Sequence, residues 1–319
     1  MTGSGLSITK WDIVTGTIPP LSDTAWVHEF ELYKQTPQYH KINKGMSIGE
    51  FKWIYFWEYL HRLWARTMGF VFLIPFIIFY AKRWISPHLL RRLGVVVALA
   101  MLAATFGWIM VASGLVDRPW VNAYKLSFHL CIAFSVYTAL LWTYLEYRND
   151  AVVAMMGIAD KLSFAVLVVL WVQLFLGGIM SGMKAGLFYP TWPDMNGAFI
   201  PHIVFHNNIF SVEEWVHYDR TGLAPAVVQV LHRFTAYMLF LLGLALFYKR
   251  VFRAGSYAVG LAAKWFFGML IIQVLLGIIT VIMCKGQIPV LWGVLHQAGA
   301  VILLTVTLVL RFQIKRSPI

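Results

Sequence analysis

Seven long apolar runs constrain this chain more than any other feature. They lie near 54–80, 94–116, 124–147, 162–182, 226–248, 263–284 and 290–311. Each supplies roughly the 20 mostly apolar residues that an α-helix needs to cross about 30 Å of hydrocarbon. The first is polar for two turns and becomes continuously apolar only after Met68. With 60% hydrophobic and 13% charged residues among 319, and a mean hydropathy of +0.69, the solvent for most of the chain is lipid. The expected fold class is all-α, a polytopic membrane protein.

A formal net charge of +12 would suit nucleic acid if it formed one basic face, but the cations fall in short segments between apolar runs. No nucleic acid partner is expected. Lys82, Arg83, Arg91 and Arg92 join the first two spans, and Arg148 and Lys161 lie between the third and fourth. Lys249, Arg250, Arg253 and Lys264 lie between the fifth and sixth, and Arg311, Lys315 and Arg316 close the chain. These four places alternate, which puts them, with the C-terminus, on the cytoplasmic or matrix side. Residues 1–53, 117–123, 183–225 and 285–289 then face outward. The two long outer segments are expected to cap the bundle, with residues 12–45 the least ordered part. Cys131 and Cys284 have no CxxC spacing and support neither a thiolate metal site nor a stapled outer domain. The polar opening Met1-Thr2-Gly3-Ser4 is unlike a cleavable signal peptide, so the apolar runs themselves must serve for insertion.

The chain also repeats itself at a spacing near 170 residues. Leu60-His61-Arg62 recurs as Leu231-His232-Arg233, His129 recurs as His296, and Gly107 matches Gly277. Gly5-Leu6 followed by Trp11 matches Gly186-Leu187 followed by Trp192 at a slightly longer offset. Matches in one order at nearly constant offset predict two related halves, 1–150 and 151–319, in parallel orientation about an axis along the membrane normal. The second half has four spans and the first shows three. The partner of span 162–182 is therefore expected before Met1, giving two pseudo-symmetric four-helix bundles and eight spans in all.

His61, His129, His232 and His296 each fall within the first two turns of a span that enters from the outer side. A single boundary histidine is usually structural, but four of them, paired and repeated at one depth, point to ligands. Haem iron gripped from both faces suits imidazoles from two helices in each half. Zinc suits less well, because acidic and Cys partners are scarce at this depth. Arg62, Arg66 and Arg233 are candidates to pair with haem propionates, with snorkelling to headgroups the equal alternative. Glu58 shares a helical face with His61. Its counterpart in the second half is Gln229, so the first half can offer proton transfer or charge stabilisation where the second cannot. The alternative for Glu58 is a salt bridge to Arg62. His202 and His206 read as a solvated pair, and His28, His40, His88 and His217 as loop residues.

At Glu50-Phe51-Lys52-Trp53-Ile54-Tyr55 and Glu58-Tyr59-Leu60-His61-Arg62 the sequence resembles the haem A synthase family of mitochondrial and alphaproteobacterial type. Thr2-Gly3-Ser4-Gly5-Leu6-Ser7, Leu231-His232-Arg233 and Leu295-His296-Gln297 resemble it too. The resemblance implies eight spans and an oxidoreductase that converts the C8 methyl of haem O through an alcohol to the formyl group of haem A, for cytochrome oxidase assembly. It implies that His61 and His129 hold the substrate haem with Glu58 as catalytic residue, and that His232 and His296 ligate a resident haem b. It further implies a bacterial cell membrane or mitochondrial inner membrane location, haem O synthase as a partner, a ferredoxin or quinol as electron donor, and a homo-oligomer. No Cys occurs in residues 1–53, where some members carry a pair. The competing reading from the residues is a dihaem cytochrome b-like electron-transfer subunit, which gives Glu58 no task. A transporter would need ionisable groups at the midplane, which are few.

Overall fold

A computed structural model describes residues 6–9, 18–114, 118–150, 152–153, 160–252 and 256–316. Arg253, counted above among the cations, and Gly5 and Trp11 of the repeat lie outside these residues. Seven long helices are each long and apolar enough to cross a membrane: α3 (Ile48–Ala81), α4 (Pro87–Gly114), α5 (Ala123–Arg148), α6 (Lys161–Gly182), α9 (Leu223–Phe252), α10 (Tyr257–Ile282) and α11 (Val290–Arg316). Short helices precede and interrupt them: α1 (Asp23–Lys34), α2 (Pro37–Lys41), α7 (Ile203–His206) and α8 (Val212–Val216). Among the described residues there is no strand, only an isolated backbone bridge between Met195 and Ala198. The protein is an all-helical, multi-pass membrane protein.

All seven expected spans are found, but most helices run past them. Hydropathy marks the part in hydrocarbon, whereas a helix ends where its last backbone groups find partners. For α3 that point is Ser47, whose hydroxyl accepts from the Glu50 N–H at 3.3 Å while the Glu50 carboxylate accepts from the Ser47 N–H at 2.8 Å. This reciprocal cap starts α3 about two turns before its apolar run. Pro225 lies in the first turn of α9, where a missing N–H costs nothing.

The chain forms two compact units, Met1–His129 and Leu130–Ile319. In the first, α1 packs on the opening turns of α3 through Phe30, Tyr33, Phe51, Ile54 and Tyr55, with the Phe30 and Phe51 rings stacked at 5.0 Å, and α2 packs on α1 through Tyr39. The expectation of little order over 12–45 is therefore corrected for residues 23–41. Alternating aromatic and charged residues there hid two short helices with their own caps, Ser22 and Thr36. His28 and His40, and likewise His88 in the first turn of α4, stand on helices and not in loops.

In the second unit α6 packs on α9, α9 on α10, α10 on α11, and α11 back on α6. The interior is apolar, centred on Leu170, Leu246, Phe266, Leu304, Leu308 and Phe312. Gly243 lets α9 approach α10 closely, since a Cβ there would lie 2.4 Å from Leu270 Cδ2. Outward-facing Leu241, Ile272 and Leu275 are exposed, as a lipid-facing bundle requires. At the end remote from the histidines, Asp160 caps α6 and is paired with Arg250 at 2.8 Å and Lys249 at 3.4 Å, and Arg311 donates to the Ser163 hydroxyl at 2.8 Å. Arg250 and Arg311, read above only as topology charges, are buried structural residues.

Candidate functional site

In the second unit all four helices of the ring contribute to one arrangement. His232 stands on α9 and faces α6, where its ring lies on Gly177: a Cβ there would be 3.3 Å from His232 Cε1. One turn earlier on α6, the Gln173 amide meets His232 Nε2 at 3.2 Å. His296 stands on α11 and faces α10 in the same way. A Cβ on Gly277 would be 3.0 Å from His296 Cε1, and Gln273, one turn earlier, reaches His296 Nδ1 at 3.1 Å. Both histidines are half-buried and lie within electrostatic range of each other.

The first unit repeats half of this pattern. His129 on α5 rests against Gly107 of α4, where a Cβ would be 3.2 Å from Cε1. Its Nδ1 meets the main-chain carbonyl of Ala103, four residues before that glycine, at 3.0 Å. His61 lies within electrostatic range of His129 but is exposed, whereas the other three histidines are half-buried. The expected placement within two turns of the helix start holds for His129 and His296. Because α3 and α9 begin early, His61 lies in the fourth turn and His232 in the third.

Glu58 is buried and heavily bonded. One carboxylate oxygen accepts from the Ser7 N–H at 2.8 Å, the Ser7 hydroxyl at 2.7 Å and the Ile8 N–H at 3.0 Å. The other accepts from Arg62 at 2.6 Å, and Arg62 donates also to the Ile8 carbonyl. The salt-bridge alternative for Glu58 is thus present in the structure. The corresponding pair in the second unit is built alike: Gln229 donates to the Tyr189 carbonyl at 2.9 Å, and Arg233 donates to the carbonyls of Tyr189, Thr191, Pro193 and Asp194. Ile8 and Tyr189 stand at the same offset as the Gly5-Leu6 and Gly186-Leu187 match, so the sequence repeat corresponds to a repeated contact. Arg62 and Arg233 hold the backbone of Ile8 and of residues 189–194, a role that neither propionate pairing nor snorkelling anticipated. Arg66 is half-buried one turn beyond Arg62.

Gln173, Gln273, Gly177 and Ser7 were missed by sequence reasoning. A signal existed for three of them: Gln-x-x-x-Gly occurs at 173–177 and again at 273–277, on the two helices that face the histidines. The stacked rings of His202 and His206 lie at α7, apart from this arrangement. Among the described residues no three His, Cys, Asp or Glu side chains cluster so as to hold a bare metal ion.

The histidines fit iron in a planar macrocycle. A metal-bound imidazole gives one nitrogen to the metal and hydrogen-bonds through the other. His129 has one nitrogen on the Ala103 carbonyl, as a metal-bound imidazole would; His296 Nδ1 and His232 Nε2 each lie beside a glutamine amide nitrogen, and the buried Nδ1 of His232 has no partner. An orphaned buried nitrogen costs free energy unless something occupies it.

The fold and these histidine pairs define a multi-pass helical membrane protein with imidazoles presented in couples between helices. The chain belongs to the COX15-CtaA family of cytochrome oxidase assembly proteins, whose profile matches residues 1–308. It is 40% identical over 306 residues to the haem A synthase of Bradyrhizobium diazoefficiens, covering 96% of this chain and 82% of that protein. It is 38% identical to the haem A synthase of Parvibaculum lavamentivorans over 303 residues, 95% of this chain and 84% of that one. It is also 38% identical to that of Nitrosospira multiformis over 321 residues, 99% and 87% respectively. No solved structure matches the chain.

Proposed function

We propose that His61 and His129 hold the haem undergoing reaction and that His232 and His296 hold a resident haem b. The activity is that of a haem A synthase, an oxidoreductase converting haem O to haem A by taking its C8 methyl group to a formyl group. The observation that supports the residue assignment best is the common seat of three histidines: ring on bare glycine, one nitrogen hydrogen-bonded, one left for a metal.

In this reading the two halves, 1–150 and 151–319, are pseudo-symmetric bundles with divided labour. Haem b, when bound, supplies one-electron transfer. The second half has an amide, Gln229, where the first has Glu58, so it can hold a cofactor but offers no carboxylate for chemistry. Oxidising a methyl group withdraws protons together with electrons. Glu58, one turn before His61 and braced by Ser7 and Arg62, is the catalytic residue that stabilises developing positive charge at that carbon or accepts its proton. The cationic connections face the cytoplasm and the outer segments face away, as expected for a bacterial cell membrane. A farnesylated substrate enters sideways from lipid. Haem O synthase supplies it, and a ferredoxin or quinol takes part in electron transfer.

The test is mass spectrometry of haems extracted from the purified protein, alongside single replacements of the four histidines. Haem O or haem A together with haem b is expected. His232→Ala and His296→Ala should lose haem b, and His61→Ala and His129→Ala the farnesylated haem. Two haem b groups without turnover would overturn the synthase reading in favour of a cytochrome b-like electron-transfer subunit.

A further inference from the structure

The histidines of the second pair are both met by glutamine amides, whereas His129 is met by main chain. Gln173 and Gln273 each sit four residues before the glycine on which their histidine rests. The residue corresponding to Gln273 in the first half, 170 positions earlier, is Ala103, which can offer only its carbonyl. A glutamine buried beside a histidine in a membrane bundle is costly unless its polar atoms are used. Here the Oε1 atoms of both glutamines are buried without a partner, as is His232 Nδ1.

We infer that Gln173 and Gln273 are positioning residues that set the electron affinity of the haem held by His232 and His296, an inference that rests on the proposed assignment of that pair. An imidazole bound to iron through one nitrogen carries its proton on the other and needs an acceptor there, and the strength of that acceptor tunes the basicity of the ligand. Gln173 can supply it by turning its amide over, because no other hydrogen bond is lost: its Nε2 bonds only to His232, and its Oε1 is orphaned. Gln273 acts differently. Its Nε2 donates to the His296 carbonyl at 2.9 Å and lies 3.1 Å from His296 Nδ1, so the amide is anchored beside the ring and restricts its rotation; unlike Gln173, it presents a donor, not an acceptor, to that nitrogen. Its Oε1 lies over Gly299, where a Cβ would be 2.3 Å away, so this placement requires glycine on α11. Among the described residues of the first half, His129 is met instead by the Ala103 carbonyl.

The experiment is a redox titration and electron paramagnetic resonance of the purified, haem-loaded protein carrying Gln173→Leu, Gln173→Glu or Gln273→Ala, with haem content measured on each. At the potential where the wild-type haem b is half reduced, Gln173→Leu should raise the reduced-to-oxidised ratio severalfold. Gln173→Glu, a stronger acceptor, should lower it severalfold. Gln273→Ala should shift the low-spin ferric signal of that haem as its ligand ring turns. An unchanged ratio in both Gln173 variants with haem retained, or an unchanged ferric signal in Gln273→Ala, overturns the inference. If His232→Ala and His296→Ala keep haem b, the underlying assignment fails instead, and the two failures are distinguishable.

Discussion

Gly107, Gly177 and Gly277 act at the scale of single atoms. Each lets a neighbouring helix's imidazole lie on bare backbone, and the space left decides the effect of adding a methyl group. At Gly277 a Cβ would stand 3.0 Å from the His296 ring, against 3.3 Å at Gly177 from the His232 ring. Overpacking of this kind costs about 1–3 kcal/mol. Gly277→Ala should therefore lose more bound haem than Gly177→Ala, as measured by haem content after purification. On the proposed assignment, a ring displaced from its seat would hold haem less well. Glu58 carries the second prediction at this scale. Glu58→Gln should abolish most product formation while haem stays bound, measured as haem A formed per haem retained; unchanged product would remove Glu58 from the chemistry. Arg62→Leu should act on stability, because it leaves a buried carboxylate without its cation, a change that costs about 3–5 kcal/mol.

At the scale of elements, the start of α6 joins a helix cap to an ion pair. Asp160 accepts from the Ser163 N–H at 3.3 Å and pairs with Arg250, so one carboxylate satisfies an orphan donor and a buried guanidinium. Burial pushes the Asp160 carboxyl up, but the hydrogen bond and charge of Arg250, the Ser163 side chain and the nearby Lys249 outweigh it and hold the group below its ordinary range. A carboxyl whose pKa is lowered by folding stabilises the folded state above its unfolded pKa, and that contribution is lost as pH falls through the folded value. Asp160→Asn should thus lower the thermal midpoint in detergent at neutral pH, and the gap from wild type should close as the pH falls below about 4. A gap that persists in acid would mean that the cap is purely steric. Helix α3 shows the same logic in the opposite direction. Its Ser47–Glu50 box extends the helix beyond its apolar run so that α1 can pack on Phe51 and Tyr55.

At the scale of the whole molecule, the second unit closes a ring of four helices, and that ring brings His232, His296 and their two glutamines into one unit. Removing α6's contribution should therefore affect a site whose ligands lie on other helices. Gln173→Leu is expected to alter the haem b potential without altering the yield of folded protein, measured by redox titration against detergent-soluble yield. In the first unit, His61 is exposed while its companion His129 is half-buried against α4.

The all-α membrane class, the seven spans and the paired histidines could be read from the chain itself, because a lipid solvent demands long apolar runs and makes every polar residue within them conspicuous. The resemblance around Glu58-Tyr59-Leu60-His61-Arg62 likewise carries the family in the sequence alone. Helix starts were less legible, since caps such as Ser47 and Asp160 work through single hydrogen bonds that hydropathy does not register. Apart from the Glu58–Arg62 pair, the partners of Glu58, Arg62 and Arg233 could not be read. Ser7, which donates through its N–H and its hydroxyl, is distant in sequence, and the Tyr189–Asp194 carbonyls are distant main-chain atoms, which every residue possesses. Gly107 and Gly277 were visible as repeat markers, but only the packed helices show a histidine lying on each, because a missing Cβ has meaning only when another chain segment fills its place.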